Sequence, residues 1–146
     1  LKVTDMQAAI GLAQLEKVPT FCAKRRENFA QLYEALRHYE DHLILPRSLP
    51  QADPAWFGLP ITVRSGVSRR DLVGFLEARG IETRMIFCGN VLRQPGFREF
   101  EHRVVGELTA SDTVMSDTFF IGVYPGLTQA MLEYVSASFK AFFESQ

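Results

Sequence analysis

Apolar residues recur along the chain with two different periods, and the switches between them mark its elements. Through TDMQAAIGLAQLEK, residues 4–17, Met6, Ala8, Ala9, Ile10, Leu12, Ala13 and Leu15 spread around most of a helical circumference, leaving Gln7, Gly11 and Gln14 as one narrow polar stripe. Ala, Leu, Gln and Met favour a helix, and Thr4 or Asp5 is placed to cap its first turn. A helix apolar on so many sides needs cover on as many. Two-layer domains bury one stripe, so the remainder is expected to face another domain or subunit; the alternative is a central helix of this same domain.

Pro19 breaks or kinks that helix, and Phe21, Cys22, Arg25, Phe29, Leu32, Tyr33 and Leu36 then follow helical spacing through residues 20–40. LILP, 43–46, reads as a short strand and RSLPQADP after it as an exposed turn. In WFGLPITV, 56–63, the alternation of Phe57, Leu59, Ile61 and Val63 predicts a strand with one buried face, while Pro60, which has no N–H, predicts an edge position or a bulge. Ser68 with Asp71 opens a helix that Gly80 closes. IETRMIF, 81–87, is read as a strand with Ile81, Thr83, Met85 and Phe87 on one face and Glu82, Arg84 and Ile86 on the other. A short helix within VVGELTASDTVMSDT, a strand at FFIGVYP, 119–125, and a last helix capped by Thr128 complete the chain. The order is helix, helix, strand, strand, helix, strand, helix, strand, helix. It predicts an α+β fold, a two-layer α/β arrangement in which helices cover one face of a small, mainly antiparallel sheet and two long N-terminal helices lead in.

Composition narrows the function classes. The chain has 146 residues, 47% hydrophobic and 23% charged, with a formal net charge of -1. A single domain of that size buries roughly 70% of its unfolded surface, and nothing in the balance attracts nucleic acid or an anionic membrane. Lys24, Arg25 and Arg26 are followed at once by Glu27 and read as a solvated helix face. His38 and His42 suit the negative end of the same helix. Cys22 and Cys88 stand far apart with no CxxC and no clustered histidines, which fits two reduced thiols in a cytoplasmic protein and gives no metal site. No apolar run is long enough to span a bilayer, and no signal peptide is recognisable. Leu1 is not an initiator methionine and a helical pattern starts almost at once, so the sequence is read as a piece of a longer protein.

The candidate chemistry lies in GIETRMIFCGNVLRQPGF, residues 80–97. Taken singly, each polar residue there has an ordinary use: Arg84 pairs with Glu82 two residues away on one strand face, Asn90 serves its own backbone in a turn, and Arg93 precedes Pro95 in an extended stretch. Together, two guanidinium forks, an amide and the rings of Phe87, Phe97 and Phe100 make an edge suited to a bulky anion that carries a ring. The chain has no nucleophile and base pair, paired carboxylates, glycine-rich phosphate loop or metal cluster. On its residues alone it is a helper domain with an anion-binding edge.

Four stretches, LKVTDMQAAIGLAQLEK, DPAWFGLPITV, IETRMIFCGNVLRQPGF and DTFFIGVYPGLT, closely resemble the C-terminal part of the CDP-4-dehydro-6-deoxyglucose 3-dehydratases, within the sugar aminotransferase superfamily of PLP fold type I. MQAAIGLAQL indicates the superfamily; GNVLRQPGF and FFIGVYPGL favour the dehydratase branch. The resemblance implies a small C-terminal domain spanning 1–146, with residues 1–40 as interdomain or interface helices and 43–146 as a sheet-and-helix subdomain. It implies a parent enzyme that uses pyridoxamine 5'-phosphate (PLP family) to remove the C3 hydroxyl of a nucleotide-linked ketosugar, in lipopolysaccharide O-antigen synthesis. An iron–sulfur flavoprotein reductase then supplies electrons, and any iron–sulfur cluster has its ligands upstream. Implied partners are the N-terminal cofactor domain of the same chain, a second copy in a homodimer, the reductase and the nucleotide sugar, and no nucleic acid or membrane.

The same resemblance implies substrate-binding roles for Glu82, Arg84, Asn90, Arg93 and Phe97, the arginines as diphosphate contacts and Glu82 as acceptor for sugar hydroxyls. Lys2 matches the basic position of a family element that reaches across the dimer to the cofactor; the asparagine of that element would precede Leu1. No catalytic residue is expected in these residues, no cofactor is expected to bind them alone, and by themselves they are expected to be inert. Two readings compete: the corresponding domain of a PLP sugar aminotransferase, which a lysine rather than a histidine at the upstream cofactor position would mark, and a stand-alone ligand-binding or regulatory module.

Overall fold

Thr4 fixes the start of the first helix. Its hydroxyl accepts from the Gln7 N–H at 3.3 Å while the Gln7 side-chain oxygen accepts from the Thr4 N–H at 3.0 Å, a reciprocal capping box. From there the computed structural model, which describes residues 2–145, contains α1 (Asp5–Leu15), α2 (Val18–Leu36), β1 (Leu43–Ile44), β2 (Gly58–Val63), α3 (Arg69–Glu77), β3 (Thr83–Met85), α4 (Thr109–Asp117), β4 (Thr118–Gly122) and α5 (Gln129–Glu144). Leu1, on which the expectation of a longer protein partly rests, lies outside the described residues. The element order is the one the hydrophobic periods predict.

All strand pairings are antiparallel, in the order β1-β2-β4-β3. Alternation puts Leu59, Ile61 and Val63 of β2, Phe119 and Ile121 of β4, and Thr83 of β3 on one face. Leu32 and Leu36 of α2, Leu72 and Leu76 of α3, and Leu132, Phe139 and Phe142 of α5 close over that face in one apolar cluster. Local chemistry sets the helix ends: Ser68 accepts from the Asp71 N–H and Thr128 from the Met131 N–H. After α3 the chain turns through Gly80 at φ 74°, with Gly80 N–H to Glu77 O and Ile81 N–H to Leu76 O, the paired bonds of a Schellman stop.

No residue of α1 is buried, and Met6 is 79% exposed. The alternative of a central helix is therefore wrong for this chain, and the apolar circumference of α1 is left exposed. Only the second half of α2 enters the core, where Asn28, Leu32 and Leu36 are buried and the Asn28 amide donates to Tyr124 O at 2.7 Å.

Three strand expectations need correction. β2 is interior by order, not an edge, and Pro60 is tolerated for a geometric reason: the register Leu43↔Val63 and Ile44↔Thr62, continued, would set Pro46 opposite Pro60, and the β1–β2 ladder ends before that point. Phe57 precedes β2 and is exposed rather than in the core, its ring edge-on to Phe120 at 5.6 Å. The alternation from Ile81 ends early, because β3 covers three residues and Phe87, 86% exposed, has left the sheet at φ 44°.

Candidate functional site

The sheet face opposite the core carries the residues that remain unexplained by folding. Across β3 and β4, Arg84 stands in register with Phe120, which in turn pairs with Pro60. The Phe120 ring lies over Gly58, where a Cβ would come within 2.5 Å of it. Beside this strip, Glu82 and Arg84 form the ion pair expected from their spacing, with Arg84 Nε donating to Glu82 Oε1 at 2.9 Å and Nη2 donating to the same oxygen at 2.5 Å. Both side chains are well exposed.

Beyond β3 the chain makes a sharp turn at Phe87, in the left-handed region where a bulky residue is rare. Gly89 follows at φ 62° and packs its backbone directly on α4: a Cβ at this position would fall 2.4 Å from Met115 Cβ and 2.5 Å from its Cα. Two short 3₁₀ turns, Val91–Arg93 and Pro95–Phe97, complete the loop, so Arg93 closes a turn instead of lying in an extended stretch. Gln94 donates to Cys88 O at 2.8 Å across the loop. Phe97 and Phe100 are exposed and contact one another, with ring centroids 5.9 Å apart.

Asp112, in the first turn of α4, holds this loop. Its Oδ1 accepts from Asn90 Nδ2 at 2.7 Å and from Arg93 Nε at 3.0 Å, and its Oδ2 accepts from Arg93 Nη2 at 2.9 Å. Asn90 is 3% exposed and its own oxygen accepts from the Leu92 N–H, so both ends of the amide are engaged within the chain. In this way the amide pins the loop to α4. Sequence reasoning found the Glu82–Arg84 pair, two residues apart, but not the Asp112–Arg93 pair, because an acid in a first helical turn is ordinary and nothing local points it at a residue so distant in sequence.

The Arg93 hydrogen bond, then that from Asn90, with the charge of Arg93 adding to both, hold the Asp112 carboxyl down at about 2, against a usual value of 3.8. Because its folded pKa lies below its unfolded one, Asp112 adds stability that is complete above pH 3.8 and is lost as pH falls through about 2. The expected result is a loop that stays docked at pH 4 and releases toward pH 2. The carbon shift of the Asp112 carboxyl, followed by NMR, should titrate near the lower value; a midpoint near 4 would mean that the pair does not form in solution.

A groove of about 650 Å³ runs beside the sheet between Ile81, Ile121, Leu127, Met131 and Tyr134, with Glu82 at its rim. No cation lines it, so a phosphate group would find no counter-charge there. Lys2 is exposed at the start of the described chain, next to α1. Among the described residues no cluster of histidine, cysteine or acids could hold a metal ion, and Cys22 and Cys88 are free. No described helix is long and apolar enough to cross a membrane.

A family model described as the DegT/DnrJ/EryC1/StrS aminotransferase family matches residues 1–140. The lipopolysaccharide biosynthesis protein RfbH of Salmonella typhimurium is 51% identical over 98% of this chain, which covers 33% of that protein. The dTDP-4-dehydro-2,6-dideoxy-D-glucose 3-dehydratase of Saccharopolyspora spinosa is 45% identical over 97% of the chain and is itself 31% covered. Among solved structures, the Escherichia coli GDP-4-keto-6-deoxy-D-mannose-3-dehydratase with bound hydrated PLP superposes with a TM-score of 0.82 and 26% identity, over 91% of this chain and 34% of that one. The chain thus spans about a third of the length of the curated relatives it matches.

Proposed function

Because the chain belongs to the DegT/DnrJ/EryC1/StrS aminotransferase family, we propose that it is the small C-terminal domain of a pyridoxamine-phosphate-dependent nucleotide-sugar 3-dehydratase, acting in 3,6-dideoxysugar synthesis for lipopolysaccharide. The observation that carries this reading is the 45% identity to a nucleotide-sugar 3-dehydratase over 97% of the chain. Its domain would comprise residues 1–146; of the interface helices expected over 1–40, the second half of α2 belongs to the core instead, which leaves α1 and the start of α2 as the part that meets the cofactor domain and a second copy.

The groove beside Ile81, Met131 and Tyr134 lacks a cation and does not fit a phosphate-bearing cofactor. In line with the family resemblance, pyridoxamine phosphate is held by the upstream part of the protein, with Lys2 as a contact to it across a homodimer, and the chemistry it supplies belongs there. An iron–sulfur flavoprotein reductase is the electron donor, and any cluster ligands are upstream as well. The parent enzyme is cytoplasmic.

What these residues contribute is a cover for the substrate. Arg84 and Arg93 face the diphosphate, and Phe97 offers an apolar surface to the ring-bearing ends of the nucleotide sugar. Glu82, read from the resemblance as an acceptor for sugar hydroxyls, has one oxygen committed to Arg84 and keeps the other for that use. Asn90 acts one step back, by pinning the loop.

Charge-assisted bonds from arginine to phosphate are worth about 1.5–3 kcal/mol each, roughly 10- to 100-fold in affinity. In the longer protein, Arg84→Ala and Arg93→Ala are each expected to raise KM for the nucleotide ketosugar by about that factor, with smaller changes in kcat. Steady-state kinetics decide it: unchanged KM and kcat in both variants would return the arginines to a purely structural role.

A further inference from the structure

The two arginines share a detail of attachment that no resemblance assigns. A guanidinium has five N–H donors in a plane, arranged as a side-on edge, Nε with Nη2, and an end-on fork, Nη1 with Nη2. Arg93 gives its side-on edge to Asp112, Nε at 3.0 Å and Nη2 at 2.9 Å. Arg84 gives the same edge to Glu82. Among the described residues Nη1 of neither arginine has a partner, and the two side chains are 61% and 69% exposed. Each guanidinium is thus held along one edge and open along the other.

Resting on the substrate-binding reading above, we propose that Asp112 is a positioning residue that aims the end-on fork of Arg93 at the substrate diphosphate, as Glu82 does for Arg84. An unrestrained arginine at this exposure would sample many rotamers, and binding would have to order it; a bidentate carboxylate removes that cost beforehand. Asp112 does this from a rigid place. It sits in the first turn of α4, which runs without a linker into β4 in the middle of the sheet, and its third bond, from buried Asn90, fixes the loop from which Arg93 projects. Because each arginine is already paired with one carboxylate, its pull on a distant anion is weak. Selection then depends on directional bonds at contact, which favours an oxygen pair of phosphate geometry over any bulky anion.

The test uses the longer enzyme that contains this chain, with KM and kcat measured for Arg93→Ala, Asp112→Asn, Asp112→Glu and the double variant R93A/D112N, and with inorganic pyrophosphate as competitive probe. Arg93→Ala is expected to raise KM 10- to 100-fold. Asp112→Asn, with Arg93 intact, should raise KM and the pyrophosphate inhibition constant together, by about 3- to 10-fold, leaving kcat within twofold. Asp112→Glu should recover most of the loss, and the double variant should be no worse than Arg93→Ala alone. If Arg93→Ala raises KM while Asp112→Asn leaves it unchanged, the positioning role is wrong and the substrate reading stands. If Arg93→Ala itself changes nothing, the substrate reading fails first. A double variant clearly worse than Arg93→Ala, or a kcat collapse with a lowered Tm in Asp112→Asn, would show a fold defect and overturn the positioning role as well.

Discussion

Gly89→Ala is expected to destabilise the chain by about 2–5 kcal/mol, combining roughly 1–2 for a left-handed residue with a Cβ and roughly 1–3 for overpacking. The second contribution is the unusual one. At Gly89 the φ of 62° is joined to a backbone-to-backbone approach, with the missing Cβ 2.5 Å from Met115 Cα, and a backbone atom cannot swing aside as a side-chain tip would. The cheapest relief is to lift the loop from α4, which pulls Asn90 off Asp112 and frees Arg93. Gly66 provides the control, since its φ is 98° and nothing lies within 4 Å of its Cβ position. Gly66→Ala should therefore cost only the backbone share, about 1–2 kcal/mol. Urea unfolding of the two variants side by side measures the difference; equal midpoints would mean that Gly89 does not touch α4.

Phe119→Ala is expected to cost about 3–5 kcal/mol, a large share of the 5–15 kcal/mol that holds a typical domain together. Phe119 has no exposed surface and sits on β4, flanked in register by Ile61 on β2 and Met85 on β3. Strands paired to β4 on both sides hinder collapse into the vacated space, which places the expected cost toward the upper end. Phe57→Ala, by contrast, removes an exposed ring of the same size and is expected to stay within about 1.5 kcal/mol, the worth of its edge-on contact with Phe120. Thermal unfolding of both variants checks the ranking, and a Phe57→Ala effect as large as that of Phe119→Ala would contradict the assignment of the two sheet faces.

How far the sequence carries depends on the range of the signal. Caps at Thr4, Ser68 and Thr128 and the turn at Gly80 are written within a few residues, and the structure has each of them. The alternation of Leu59, Ile61 and Val63 marks one face of a strand, but it cannot say which strands lie beside it. For that reason Pro60 points to an edge when the actual escape is a ladder that ends early. Phe57 and Phe87 fit the alternation at the strand ends and are nevertheless solvent-facing, because hydrophobicity does not record where pairing stops. The candidate site divides in the same way. Glu82 and Arg84 are readable as a pair from their spacing, whereas Asp112 with Arg93, and Gly89 against Met115, depend on how α4 is laid down relative to the loop. Helix α1 is the converse case: a stripe pattern too wide for one domain announced an unpartnered surface, and none of its residues is buried.

On the proposed reading, such a surface and a loop with two half-engaged guanidinium groups belong to a contributor to an active site whose cofactor is held elsewhere. The most direct measurement is turnover of a nucleotide-linked 4-keto-6-deoxy sugar in the presence of pyridoxamine phosphate and an iron–sulfur flavoprotein reductase. It should be run on these 146 residues alone and on the longer protein that contains them. The predicted result is loss of the C3 hydroxyl by the longer protein and none by the 146 residues; dehydration by the 146 residues alone would contradict it.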